Sequence, residues 1–270
     1  MREALIIISA FAIASFITLV IESEVQPEYY EYKGKLRINQ LYAELESVEP
    51  RAMIYARSQV DSFLASVNGT ACELDPVIDP NMFSGAINED LGYKGFLSSI
   101  DLKFSVFETE GGGASSEYFG SYCRKGGIGV RVKGEVSIED ELIEIRGRRA
   151  FESVGCQQTA YYVMKEALSW LESEIKAGVE EASEKLPNVT RFWETLNRKL
   201  NQVMVSFRET YPGLELRLRC EKDFYLEGGE LKALVRFTLT LKDPEGLFIK
   251  SGEERKGFWC VREVVVVAGR

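Results

Sequence analysis

Residues 4–21 read ALIIISAFAIASFITLVI, eighteen consecutive positions without a charged side chain. At a helical rise of about 1.5 Å per residue such a run extends about 27 Å, enough to cross the hydrocarbon core of a bilayer. Ser9, Ser15 and Thr18 are compatible with this, because a hydroxyl in a helix bonds back to a carbonyl one turn earlier. Arg2 and the terminal amine precede the run, and Glu22, Glu24 and Glu28 follow it. Positive charge stays on the cytoplasmic side, so the short N-terminus is expected inside and the rest of the chain outside. A cleavable leader needs small residues three and one before the cut. Ala12 and Ala14 meet that spacing, but cutting there would leave the apolar SFITLVI at the mature terminus. Residues 1–23 are therefore expected to be an uncleaved transmembrane signal-anchor, with membrane lipid as the partner of residues 4–21.

Working outward, residues 24–70 read as a linker and a helical stalk. Tyr29, Tyr30 and Tyr32 fall where amphipathic rings favour the head-group layer. Ile38, Leu41, Tyr42, Leu45 and Val48 recur at helical spacing, and after Pro50 the stripe resumes with Met53, Ala56, Val60, Leu64 and Val67. Pro50 is expected to interrupt and restart the helix, being favoured at a first helical position. Asn68-Gly69 ends it.

Residues 71–158 open on a stretch up to 98 punctuated by Pro76, Pro80, Gly85, Gly92 and Gly95, which reads as irregular. Alternating strands follow, with Ile100, Leu102, Phe104 and Val106 on one face, then Ile128, Val130 and Val132 leading to Val136 and Ile138, then Ile143 and Ile145. Residues 159–270 begin with two helical patterns, Thr159 to Leu186 and Val189 to Tyr211, separated by Pro187 and closed by Pro212-Gly213. Strand alternation resumes at Leu214, Leu216 and Leu218, then from Ala233 to Leu241, with Asp243-Pro244-Glu245-Gly246 as a turn before Leu247 to Ser251 and Phe258 to Ala268. The expected fold class is α+β: one N-terminal transmembrane helix, then a soluble domain of long helices packed on antiparallel sheet. Ile100 to Phe104 echoes Leu214 to Leu218, and Gly126-Gly127 before a strand ending in Glu139-Asp140 echoes Gly228-Gly229 before one ending at Asp243. Two similar halves would produce these echoes.

The 270-residue chain carries a formal charge of −9 and has no histidine. Missing imidazole removes Ser-His-Asp and Cys-His nucleophile systems, His-ligated metals and imidazole proton shuttles. A net acidic chain is repelled by phosphate backbones, so no nucleic-acid partner is expected. Abundant Glu, Lys and Arg beside sparse Asn and Gln suits the surface ion pairs of a thermophile. No catalytic, cofactor-binding or metal-ligating constellation stands out, and no cofactor is expected. Gly111 to Gly113 lacks a following Gly-Lys-Ser/Thr, which leaves phosphate binding unsupported. The oxygen-rich run from Glu73 to Asp90 lacks the spacing of an EF-hand and reads as a polar loop.

Five cysteines occur without a CxxC pair. Outside the cytoplasm disulfides become stable, and Cys220 with Cys260 is the candidate bridge within the last half. Asn68-Gly69-Thr70 and Asn188-Val189-Thr190 match the N-glycosylation acceptor pattern, which makes Asn68 and Asn188 candidate modification sites. The function expected from this is a membrane-anchored surface or envelope protein of structural or interaction type, meeting other envelope proteins or copies of itself. A module that binds or senses a ligand or glycan is the alternative, and an envelope hydrolase built on paired carboxylates is a third.

Overall fold

A computed structural model describes the backbone of residues 2–112, 123–250 and 254–269, and the side chains of residues 31–112, 123–246 and 257–269. The order of elements is α1 (Arg2–Val67), α2 (Pro80–Tyr93), β1 (Leu97–Glu108), β2 (Ile128–Asp140), β3 (Ile145–Gln157), α3 (Tyr161–Ser183), α4 (Val189–Thr210), β4 (Glu215–Glu227), β5 (Glu230–Lys250) and β6 (Glu254–Ala268). The fold is α+β, with four helices and two antiparallel three-stranded sheets ordered β1-β2-β3 and β4-β5-β6.

α1 is a single helix of 66 residues that runs through residues 24–34 and through Pro50 without a break. The side chains of the candidate span, residues 4–21, lie outside the described residues. Among those described, no helix is long and apolar enough to cross a membrane.

Contacts divide the chain into two compact units that interleave along the sequence. The first comprises α1 up to Glu49, Asn81–Leu102 and Gly134–Phe151; the second comprises Pro50–Pro80, Lys103–Lys133 and residues 152–270. In the first, Leu41, Leu45 and Val48 are buried at the i, i+4, i+7 spacing of one helix face, as are Phe83, Ile87 and Leu91 of α2. The α2 stretch was expected to be irregular. Pro80 supplies a preset φ at its first position, and the four-residue apolar spacing outweighs the entropic penalty of Gly85 and Gly92. Asp140 is fully buried. It pairs with Arg37, whose other nitrogen donates to the carbonyls of Lys94 (2.8 Å) and Gly95 (3.1 Å) while the guanidinium stacks 4.0 Å from the Phe96 ring.

In the second unit α3 and α4 pack on one another, and α3 lies on β5 and β6. Met164, Leu168, Leu171, Ile175 and Val179 of α3 are buried, as are Phe192, Leu196 and Phe207 of α4. The inner face of the sheet contributes Ala233, Val235, Phe237, Leu239 and Leu241 from β5 and Phe258, Cys260 and Val264 from β6, all buried at the two-residue period of a strand. Burying a side chain of this size is worth roughly 1.5–3 kcal/mol, so these positions hold the unit together.

Asp243 to Gly246, expected to be a turn, is instead a bulge between Asp243 and Leu247 within a continuous β5. Two disulfides form, Cys72–Cys260 with Cα atoms 5.9 Å apart and Cys123–Cys156 with Cα atoms 5.6 Å apart, and Cys220 is left as a free thiol. The expected Cys220–Cys260 bridge is therefore corrected, and strand register gives the reason. Cys220 faces Phe237 whereas Cys260 faces Leu241, so β5 lies between them and they are offset by four residues. Two inter-strand steps of about 4.8 Å and an offset of about 13 Å exceed the roughly 7 Å a disulfide spans.

Candidate functional site

The hairpin joining β4 to β5 turns on Gly228 and Gly229, both with positive φ (60° and 86°). Successive left-handed residues suit the tight turn whose twist matches its flanking strands, and glycine alone occupies them without strain. This turn fixes the register: Glu215 faces Lys242, Arg217 faces Thr240 and Arg219 faces Thr238. On the other side of β5, Lys242 faces Trp259, Thr240 faces Val261 and Thr238 faces Glu263. With the inner face committed to the core, the period of two sends this entire set outward.

Arg217, Arg219, Thr238, Thr240, Lys242 and Trp259 line a shallow groove of 290 Å³ on that outer face. Among the described residues, no acid pairs with Arg217, Arg219 or Lys242. Elsewhere in this chain of net charge −9 many cations do find an acid, as in Arg37–Asp140, Arg149–Glu49 and Lys199–Glu181. Glu215 and Glu263 bound the patch at opposite corners.

Two anchors hold the groove rigid. Along the free edge of β6, the Trp259 N–H donates to Asn68 Oδ1 (3.0 Å), the Gly69 N–H donates to the Trp259 carbonyl (2.8 Å) and the Val261 N–H donates to the Thr70 carbonyl (3.1 Å). The Cys72–Cys260 disulfide fastens the same loop beside them. Gly69 has φ +86°, and a Cβ there would come within 2.8 Å of the Trp259 indole, so glycine is required for the ring to lie where it does. Asp243, next to Lys242, supplies the other anchor. Its buried carboxylate accepts from Arg124 (2.6 and 2.7 Å), from the Ala160 N–H at the start of α3 (2.7 Å) and from the Gly246 N–H within the bulge (2.8 Å). A carboxylate at a helix N-terminus meets unpaired N–H groups and the positive end of the helix dipole.

The other positions singled out in the sequence lie apart from the groove or support it. Asn68, half-buried, follows the last residue of α1 and uses its side-chain oxygen on Trp259. Asn188, exposed, caps α4 by accepting from the Arg191 N–H (3.0 Å). Cys220 lies on the inner side of β4, where burial pushes its thiol above the usual range. The acids of the Glu73 to Asp90 run go to separate partners: Asp75 to Lys165 (3.0 Å), and Asp90 to Lys94 (3.0 Å). Among the described residues, no three His, Cys, Asp or Glu side chains gather as a metal site would require. The helix pair also encloses a cleft, but its facing charges, Glu181 and Lys199, bond to each other at 2.5 Å.

Sequence reasoning missed the groove. Its signal was the alternation LELRLR at 214–219, in which the last two of the three polar members of the strand pattern are arginine. Lys242 and Trp259 join them only through strand pairing.

These features define an α+β protein with two antiparallel three-stranded sheets, one of them presenting a cationic and aromatic outer face. No family model, curated protein or solved structure matches the chain.

Proposed function

We propose that the chain is a single-pass membrane protein whose folded head lies outside the cytoplasm and works by interaction. One observation carries this: α1 leads without a break from Arg2, through the uncharged run of residues 4–21, into a head closed by two disulfides. The apolar run is long enough for a bilayer, and disulfides persist mainly in oxidising compartments. Arg2 before the run and acids after it orient the head outward. The repetition of two helices followed by a three-stranded meander, with a buried aspartate at or near the end of each middle-strand pattern (Asp140 and Asp243), supports two similar halves within the head.

Fractionation of cells expressing the full chain tests this. The protein should stay in the membrane pellet through alkaline carbonate extraction, and protease added to intact cells should remove the head. Recovery of intact protein in the soluble fraction, or full protection of the head, would overturn it.

A further inference from the structure

We propose that the outer face of β4–β5–β6 is a binding site for an anionic polysaccharide, with Arg217, Arg219 and Lys242 holding its acidic groups and Trp259 stacking on a sugar ring. Three cations line one groove, and none of them forms an ion pair with a described acid, although Glu215 faces Lys242 across the strands. A guanidinium presents a fork of donors that matches a carboxylate or a sulfate, and such charge-assisted bonds are about twice as strong as neutral ones. Thr238 and Thr240, on the central strand between them, add hydroxyls that can donate or accept. Trp259 stands at the far end, 36% exposed as a residue and with its backbone tied on both sides. A fixed, flat, amphipathic ring costs little entropy to bind against.

The choice of ligand follows from what the face lacks. The groove is built of side chains on a sheet face, whereas an extended peptide would take its main-chain bonds at a strand edge, which on β4 lies beside the groove and not in it. A nucleic acid places a charge about every 1.7 Å along its axis, and its neighbouring phosphates would meet Glu215 and Glu263. A polymer whose acidic groups are spaced by neutral sugar carbons places charge in the groove and hydroxyls over the flanking acids. The overall charge of −9 opposes any polyanion at long range, but salt screens it beyond about 8 Å at physiological ionic strength, whereas groups in contact feel the groove.

This site deepens the interaction reading above but is tested independently of the anchor's location. Full-length protein purified in neutral detergent is titrated with a polyuronate oligosaccharide, a sulfated dextran, neutral dextran, polyglutamate and duplex DNA. Binding to one or both acidic sugars, weakened by added salt, with little binding to the other three, is the expected result; which acidic sugar binds distinguishes carboxylate from sulfate recognition. R217Q/R219Q should lower affinity at least tenfold. W259A should lower it about tenfold, while W259F, which keeps a ring against Gly69, should stay within about threefold. A urea denaturation midpoint matching the parent in each variant establishes that the fold is kept. Equal binding of polyglutamate or DNA, self-association abolished by R217Q/R219Q without sugar binding, or indifference of sugar binding to both sets of variants would overturn the proposal.

Discussion

At the scale of single residues, two buried aspartates are each answered by one arginine. Asp243 has no exposed surface, and three separate donors reach its two oxygens. Asp243→Asn keeps the shape but replaces one acceptor with a donor and leaves Arg124 only the exposed carboxylate of Glu245, 3.9 Å away. Because Arg124 keeps 24% of its side-chain surface in water, the expected loss is about 2–4 kcal/mol, below that of a fully enclosed pair. Urea denaturation of the variant checks this; a midpoint matching the parent would show that the bulge does not depend on the pair. Tyr162 offers a pH test. Burial and the nearby carboxylate of Asp75 push its hydroxyl up to about 12, and burial raises Tyr161 as well. Unfolded tyrosine ionises near pH 10, so above that point the unfolded chain releases protons that the folded one retains. The stabilisation present below pH 10 is therefore lost as pH rises toward 12. The fall in denaturation midpoint between pH 9 and pH 11 should be smaller in Tyr162→Phe than in the parent.

At the scale of elements, the cysteines tie loops to strands that are distant in sequence. Cys72–Cys260 joins positions 188 residues apart and Cys123–Cys156 joins positions 33 apart. Restricting the unfolded chain makes each worth about 3–5 kcal/mol in the loop-entropy picture, with the longer loop contributing more. Cys72→Ser should thus lower the denaturation midpoint more than Cys123→Ser. Denatured, unreduced protein should take up alkylating reagent at one cysteine, Cys220, and reduced protein at all five. Peptide mass mapping reads both, and labelling of Cys72 before reduction would contradict the pairing.

At the scale of the whole molecule, the units do not follow chain order, since α1 and each strand of the first sheet continue from one unit into the other. A cut between the sequence-defined segments 71–158 and 159–270 would separate Asp243 from Arg124 and Cys260 from Cys72. The fragment 159–270 made alone is therefore expected to lack a cooperative unfolding transition and dispersed amide resonances. A sharp transition in that fragment would show that its helix pair and sheet suffice.

Most of the elements were legible because they announce themselves through local periodicity. The stripes of α3 and α4, the alternation of β5 and the Pro212-Gly213 stop are statements about neighbours three, four or two residues apart, and those distances are set by backbone geometry. Pro50 and the Asp243–Gly246 bulge misled because their turn chemistry is a local preference that long-range packing outweighed. The groove was invisible for a related reason: Arg217, Lys242 and Trp259 each read as ordinary outward positions on separate strands. From its own pattern the chain determined the α+β class, the strongly periodic helices and strands, though not α2, and the apolar leading run. Tertiary structure alone decided which cysteines meet, where the charged aspartates are answered and which cations stand together in one groove, because cross-strand register brings into contact residues that no spacing along the chain connects.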